Sequence, residues 1–272
     1  LELLTFGSRD YLMFFSRRSY LLLYFLTIGA FLFFASLATA QSTESETVYA
    51  NADRLLQAGD IVGAIQLYES FQPSEDQYYQ HWYNLGVLLY DNQQYDEAVD
   101  AFSHAMDQFE NLDVAAVQAT AGLYNLGTSL IQAGGFSEAI EVFSVLLENE
   151  VDDSYAICIN RGNAYYAIGD LDAAASDYLA AITARPTTEA WYNLGNIYYD
   201  QQSWDEAIAA YSNAIDLNPA FWQAHYNLGN VRMQLLDYDT AIQEYRAALR
   251  HEPANADIQE NIAIAQQMAE QY

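Results

Sequence analysis

The chain is predicted to be all-α, a stack of helix hairpins, and three recurrences carry that prediction. One five-residue word appears five times: Trp82-Tyr83-Asn84-Leu85-Gly86, Leu123-Tyr124-Asn125-Leu126-Gly127, Cys158-Ile159-Asn160-Arg161-Gly162, Trp191-Tyr192-Asn193-Leu194-Gly195 and His225-Tyr226-Asn227-Leu228-Gly229, with the glycines stepping by 41, 35, 33 and 34 residues. Ten residues after each Gly stands Asp96, Ser137, Asp172, Asp205 or Asp239, followed two later by Ala98, Ala139, Ala174, Ala207 or Ala241 and four beyond by Phe102, Phe143, Tyr178, Tyr211 or Tyr245. The last three units close on Pro186, Pro219 and Pro253.

Each recurrence has a mechanical reading. A Gly inside a helix removes the Cβ that holds a neighbouring helix away. The Asp or Ser reads as an N-cap, accepting from first-turn backbone N–H groups. The Ala and the aromatic four residues later share one helical face, and Pro ends the second helix. A hairpin of this size buries its apolar face only by stacking on a neighbour.

These residues resemble the tetratricopeptide repeat: W-x2-L-G-x2-Y, then Ala, aromatic and Pro, at a period near 34. The resemblance implies a right-handed α-solenoid with the first helix of each hairpin on the concave side. It divides the chain into repeats at 79–112, 113–153, 154–187, 188–221 and 222–255. A polar linker and degenerate repeat occupy 41–78, where Ala64 and Tyr68 match the second helix and Ala52 replaces the Gly. A capping helix is expected in 256–272, with its outer face in water. The 41-residue step carries seven extra residues around Asp113-Val114-Ala115-Ala116-Val117-Gln118-Ala119, close to two helical turns, which predicts a longer first helix jutting from one edge. Arg161 replaces the core Leu of its unit, and Arg232 stands where Tyr165 and Tyr198 do. Both are expected to reach solvent or to pair with acids.

Residues 1–40 read as an address. Arg17 and Arg18 precede an uncharged run, 20–38, and Ala38-Thr39-Ala40 leads into the polar Gln41-Ser42-Thr43-Glu44-Ser45-Glu46. This is the order of a secretory signal peptide. Met13 opens MFFSRRS, a more usual n-region than Leu1 offers. The run of 19 residues also approaches the length of a membrane span, so an uncleaved anchor is the alternative; the Ala-Thr-Ala site favours cleavage after Ala40. Either way the repeats are expected outside the cytoplasm, in a periplasm or cell envelope, secreted or anchored.

Composition excludes some partners. The 272 residues carry 37 Asp+Glu against nine basic residues, all Arg, for a formal net charge of -28. Such a chain does not hold nucleic acid through counterion release, nor an anionic membrane by charge; membrane contact is expected only through 20–38, if that run is retained. The single Cys158 cannot form an internal disulfide or a Cys-rich zinc site and reads as a buried small hydrophobe. His81, His104, His225 and His251 are scattered, with packing the expected role of His225, and Asp152-Asp153 lacks the Gly and spacing of a calcium loop. No catalytic residues, metal ligands or cofactor are assigned.

Binding is the function that the repeats suggest. Asn84, Asn125, Asn160, Asn193 and Asn227 recur once per repeat, and Asn163, Asn196 and Asn230 follow three residues later on the same helix face. An amide both donates and accepts, so a ladder of amides can grip the backbone of an extended peptide, as similar ladders do in glycosyltransferase-associated tetratricopeptide superhelices. The alternative is that each Asn caps or bridges adjacent repeats. Tyr83, Tyr124, Tyr192 and Tyr226 precede ladder Asn, and Tyr90, Tyr166 and Tyr199 lie near the ends of first helices. They read either as recognition surface or as inter-helix core. The expected partner is a protein or peptide, neutral, Tyr-complementary or basic. An acidic chaperone tail is argued against, since the chain has no Lys and few Arg to clamp a carboxylate. Two further readings are a structural or self-associating envelope spacer and an accessory subunit of an envelope enzyme complex.

Overall fold

The computed structural model describes residues 42–107, 117–149 and 154–271. The proposed signal or anchor, residues 113–116 of the extra segment, and Asp152-Asp153 lie outside them. The described residues are helical with no strand: α1 (Ser42–Gln57), α2 (Ile61–Glu69), a short 3-10 turn (Glu75–Gln77), α3 (Tyr78–Asp91), α4 (Tyr95–Met106), α5 (Val117–Ala133), α6 (Phe136–Glu148), α7 (Ser154–Ala167), α8 (Leu171–Ala184), α9 (Thr188–Asp200), α10 (Trp204–Leu217), α11 (Trp222–Gln234), α12 (Tyr238–His251) and α13 (Ala256–Ala269). α1 belongs to a compact unit ending at Gly59, and the remaining helices to a second, Asp60–Tyr272.

Within the second unit, α3 through α13 each pack on the next in sequence, the neighbour-to-neighbour stacking of a solenoid. The word glycines show why the hairpins close. A Cβ added at Gly86 would sit 2.8 Å from Phe102, at Gly127 2.7 Å from Phe143, at Gly162 2.8 Å from Tyr178, and at Gly195 and Gly229 2.6 Å from Tyr211 and Tyr245. The recurring aromatic therefore lies against the recurring Gly of its own hairpin, and the small Ala four residues earlier is fully buried in every unit. The core runs across hairpin boundaries. One cluster joins Met106 of α4, Leu123 of α5, Phe143 and Leu146 of α6, and Ile157 of α7. At the far end Ile258 and Ala265 of α13 bury against Tyr245 and Ala248 of α12, while Gln259, Glu260, Ala263, Gln266 and Gln267 stay exposed. This is the expected cap.

α5 spans 17 residues, against 13 or 14 for the first helices of the other four hairpins that carry the recurring word, and the described extra residues, 117–119, are part of it.

The N-cap reading needs correcting. Asp96, Ser137, Asp172, Asp205 and Asp239 are not caps. The second helices begin one residue earlier, on Tyr95, Phe136, Leu171, Trp204 and Tyr238, and the capping positions are Gln94, Gly135, Asp170, Ser203 and Asp237. Only Asp170 and Asp237 among these accept a first-turn N–H through the side chain, from Ala173 and Thr240. The acids two positions later lie in the first turn, where negative charge is favoured by the helix dipole.

The hairpin turns place one residue in the left-handed region: Gln93, Gly134, Gly169, Gln202 and Leu236. At φ 61°, Leu236 is strained by its own Cβ, and at 64% exposure it gains little from packing. Leu236→Gly should therefore raise stability by about 0.5–1 kcal/mol, read as a higher urea midpoint.

Candidate amide–tyrosine interface

The predicted site residues all lie on the first helices of the hairpins, and the structure joins most of them in one repeating hydrogen-bond pattern. Each ladder Asn reaches back to the hairpin before it. Asn125 Nδ2 donates to Tyr83 Oη at 3.1 Å, Asn160 to Tyr124 at 2.9 Å, and Asn227 to Tyr192 at 3.2 Å. Where the word has Ile159 instead of Tyr, Asn193 turns to Asn163 Oδ1 at 3.4 Å. Asn84, the buried member, donates to Tyr68 Oη at 3.3 Å and accepts from Gln80 at 2.7 Å.

The second set of Asn serves the second helices. Tyr178, Tyr211 and Tyr245 donate to Asn163, Asn196 and Asn230 at 2.7, 2.9 and 2.8 Å. These hydroxyls are carried into the core by the ring that packs on Gly, and burial raises the pKa of all three phenols. Without an acceptor each would be an unsatisfied buried donor. The two units with Phe102 and Phe143 need none, and there the position after Gly is Val87 or Thr128. This pairing of Tyr with Asn and Phe with non-Asn is present in the sequence and explains the second Asn set.

Sequence reasoning missed one ladder member. Asn261, on the capping helix, lies 34 residues after Asn227 and donates to Tyr226 Oη at 3.0 Å. The period alone identifies it. Tyr166 also links hairpins: exposed on α7, it donates to Asp200 on α9 at 2.7 Å, and that bond to a carboxylate pushes its pKa up to about 12.

The pattern leaves hydrogen-bonding capacity unspent. Among the described residues, Oδ1 of Asn125, Asn160 and Asn193 and Nδ2 of Asn163 and Asn196 have no partner, and all five amides are half-buried. Unspent acceptors thus recur on α5, α7 and α9, and α7 and α9 each add one unspent donor. At the C-terminal end the face opens into a cleft of about 220 Å³ lined by Tyr192, Trp222, Gln223, Tyr226, Asn227, Asn255 and Asp257.

The two substituted arginines differ. Arg161 pairs with Asp177 of α8 through Nε at 2.8 Å and Nη2 at 2.7 Å, and its Nη1 donates to Ser144 at 2.9 Å; the bond to Asp177 raises its pKa. Arg232 makes a looser contact to Asp237, 3.5 Å. His225 does more than pack: its Nδ1 lies 2.7 Å from Glu244. Asp177 and Glu244 occupy the position held by Ala101 and Ala210 elsewhere, and each acid faces a basic side chain of its own hairpin. Cys158 is buried, and burial raises its pKa. Among the described residues no group of His, Cys, Asp and Glu has the arrangement to hold a metal ion, and no helix is long and apolar enough to cross a membrane.

Models of the tetratricopeptide repeat match residues 49–111 and 124–189, 195–235, and 222–255. Among solved structures, MamA from Desulfovibrio magneticus RS-1 is similar at 21% identity over 65% of this chain and 97% of that one, TM-score 0.58. A tetratricopeptide repeat protein from Parabacteroides merdae is similar at 21% identity over 70% and 73%, TM-score 0.61. YrrB, described as a repeat protein with an unusual peptide-binding site, is similar at 18% identity over 71% and 94%, TM-score 0.56. A comparison with curated proteins returned no match. The repeat models together span most of residues 49–255, the five hairpins that carry the recurring word close Gly on aromatic, and the chain belongs to the tetratricopeptide repeat family.

Proposed function

We propose that this chain is an exported, non-catalytic scaffold that binds an extended segment of a partner protein along the Asn/Tyr face of its first helices. The observation that carries the reading is the set of unspent amide groups on one face, acceptors on half-buried Asn125, Asn160 and Asn193 and donors on half-buried Asn163 and Asn196. An extended backbone presents N–H and C=O groups in alternation and can use both. YrrB, of the same fold, is a precedent for the class of ligand. The excess of acids favours a neutral or basic segment, and the apolar run 20–38 behind Arg17 and Arg18 is the basis for export.

The same hydrogen bonds favour a second reading, in which the ladder only holds hairpins together and the chain is a spacer or self-associating envelope component. One variant separates the two. Asn193 makes a single long contact to Asn163 and has a free Oδ1, so Asn193→Ala should cost little stability. If the face binds peptide, the variant weakens binding of segments selected from an extended-peptide library by about 3- to 10-fold, the worth of one hydrogen bond, at an unchanged melting temperature. Unaltered binding in a folded triple variant, Asn160→Ala, Asn193→Ala and Asn227→Ala, would rule the face out. Light scattering that showed a concentration-dependent oligomer and no peptide binding would favour the spacer.

A further inference from the structure

We infer that the cleft at the C-terminal end of the face is a receptor for one basic side chain, Arg or Lys, of the bound segment. The inference rests on the peptide reading above and names the chemistry that one part of the groove selects. Three aromatic side chains line the cleft: Tyr192 from α9 and Trp222 and Tyr226 from α11. The rings are held by their neighbours. Tyr192 packs edge-on against Phe221 at 5.2 Å, and Trp222 lies 6.5 Å from Tyr226. The hydroxyls of Tyr192 and Tyr226 are fixed by Asn227 and Asn261. The aromatic walls are therefore in place before a ligand arrives, which lowers the ordering cost of binding.

One charge joins that aromatic lining. Asp257, exposed in the first turn of α13, is the only ionisable carboxylate of the cleft, and among the described residues it makes no ion pair. An aromatic face attracts a cation through its quadrupole, and a carboxylate adds the complementary charge. An anionic side chain would meet Asp257 and the overall charge of -28. The amides of Gln223 and Asn227 complete the polar lining, while Asn255 spends its Oδ1 capping α13 through Ile258 N–H. The volume, about 220 Å³, falls below the roughly 300–1,000 Å³ of small-molecule sites and suits one side chain rather than a whole ligand. The position of Trp222, seven before the word Gly, holds Thr188, Tyr155, Thr120 and Tyr79 in the other hairpins. This indole is peculiar to the last junction.

The test uses the folded chain and capped nonapeptides that differ only in the central residue: Arg, Lys, Gln, Leu or Glu. Affinity is read by fluorescence anisotropy, and occupancy by the indole N–H resonance of Trp222, assigned with Trp222→Phe. The Arg and Lys peptides should bind about tenfold more tightly than the Gln peptide and shift that resonance. Asp257→Asn should reduce the preference to less than about threefold, while Asp239→Asn, the same charge change on α12, should leave it intact. Equal binding of the Arg, Gln and Glu peptides, or a preference that survives Asp257→Asn, overturns the receptor and leaves the peptide reading standing. If no peptide binds, both fall. A shift of Trp222 by N-acetyl-arginine amide alone would then identify a small-cation site instead.

Discussion

Replacing Arg161 with Leu, the residue of the neighbouring repeats, should destabilise the chain by about 3–5 kcal/mol, because it strands the buried carboxylate of Asp177. The Asp177 side chain is only 6% exposed and has lost both guanidinium bonds. Asp177→Ala should cost less, about 2–3 kcal/mol, since Arg161 is 21% exposed and can turn its head to water while its stem stays packed. The double variant Arg161→Leu with Asp177→Ala recreates the Leu194 and Ala210 pair of the next hairpin. It should return to within about 1 kcal/mol of the parent or exceed it, as buried pairs exchanged for apolar side chains commonly do. Urea midpoints of the four proteins complete the cycle. Costs that simply add in the double variant would show that the pair is not the source of the single effects.

Acid should weaken the fold through His81. This imidazole is 1% exposed and lies against Tyr68 at 5.3 Å and Phe71 at 5.8 Å, with Trp82 edge-on at 5.4 Å. Burial lowers its pKa from the ordinary 6.5 to about 4. In the unfolded chain the ring takes up a proton as pH falls through about 6.5, whereas in the folded chain it stays neutral until about 4. The stabilisation is therefore complete above pH 6.5 and is lost between pH 6.5 and 4. A shift of this size corresponds to about 3 kcal/mol. His81→Gln should flatten the stability difference between pH 7 and pH 4 by about that amount. A variant whose pH profile parallels the parent's would place the acid sensitivity elsewhere.

The architecture was legible because its cause is periodic. Gly86 and Phe102, or Gly195 and Tyr211, lie at fixed offsets since each hairpin must bring the same two surfaces together, and five repetitions expose the constraint. The caps were misread because Asp is favoured both as an N-cap and in the first turn. Asp172 and Asp170 differ in what they bind, not in residue type, and only geometry separates them. The candidate site was half legible. Phase showed that Asn160 and Asn193 share a face, but not that one finds a Tyr hydroxyl and the other Asn163, which depends on Ile159 breaking the Tyr row. The cleft was invisible in the repeat pattern, since Trp222 and Asp257 come from different repeats and Trp222 stands where the other hairpins have Thr or Tyr.

The bond from a ladder Asn to the hairpin before it makes the last junction a copy of the one preceding it. Asn227 meets Tyr192 and Asn196, and Asn261 on the cap meets Tyr226 and Asn230 by the same route. A duplicate of residues 188–221 spliced in after itself would present its own Asn193 to the Tyr192 and Asn196 of the original, and its own Tyr192 and Asn196 to Asn227. No new coupling has to be invented at either seam. Reach then becomes a quantity that gene duplication can adjust in steps of one hairpin, with the cap and its cleft carried along unchanged.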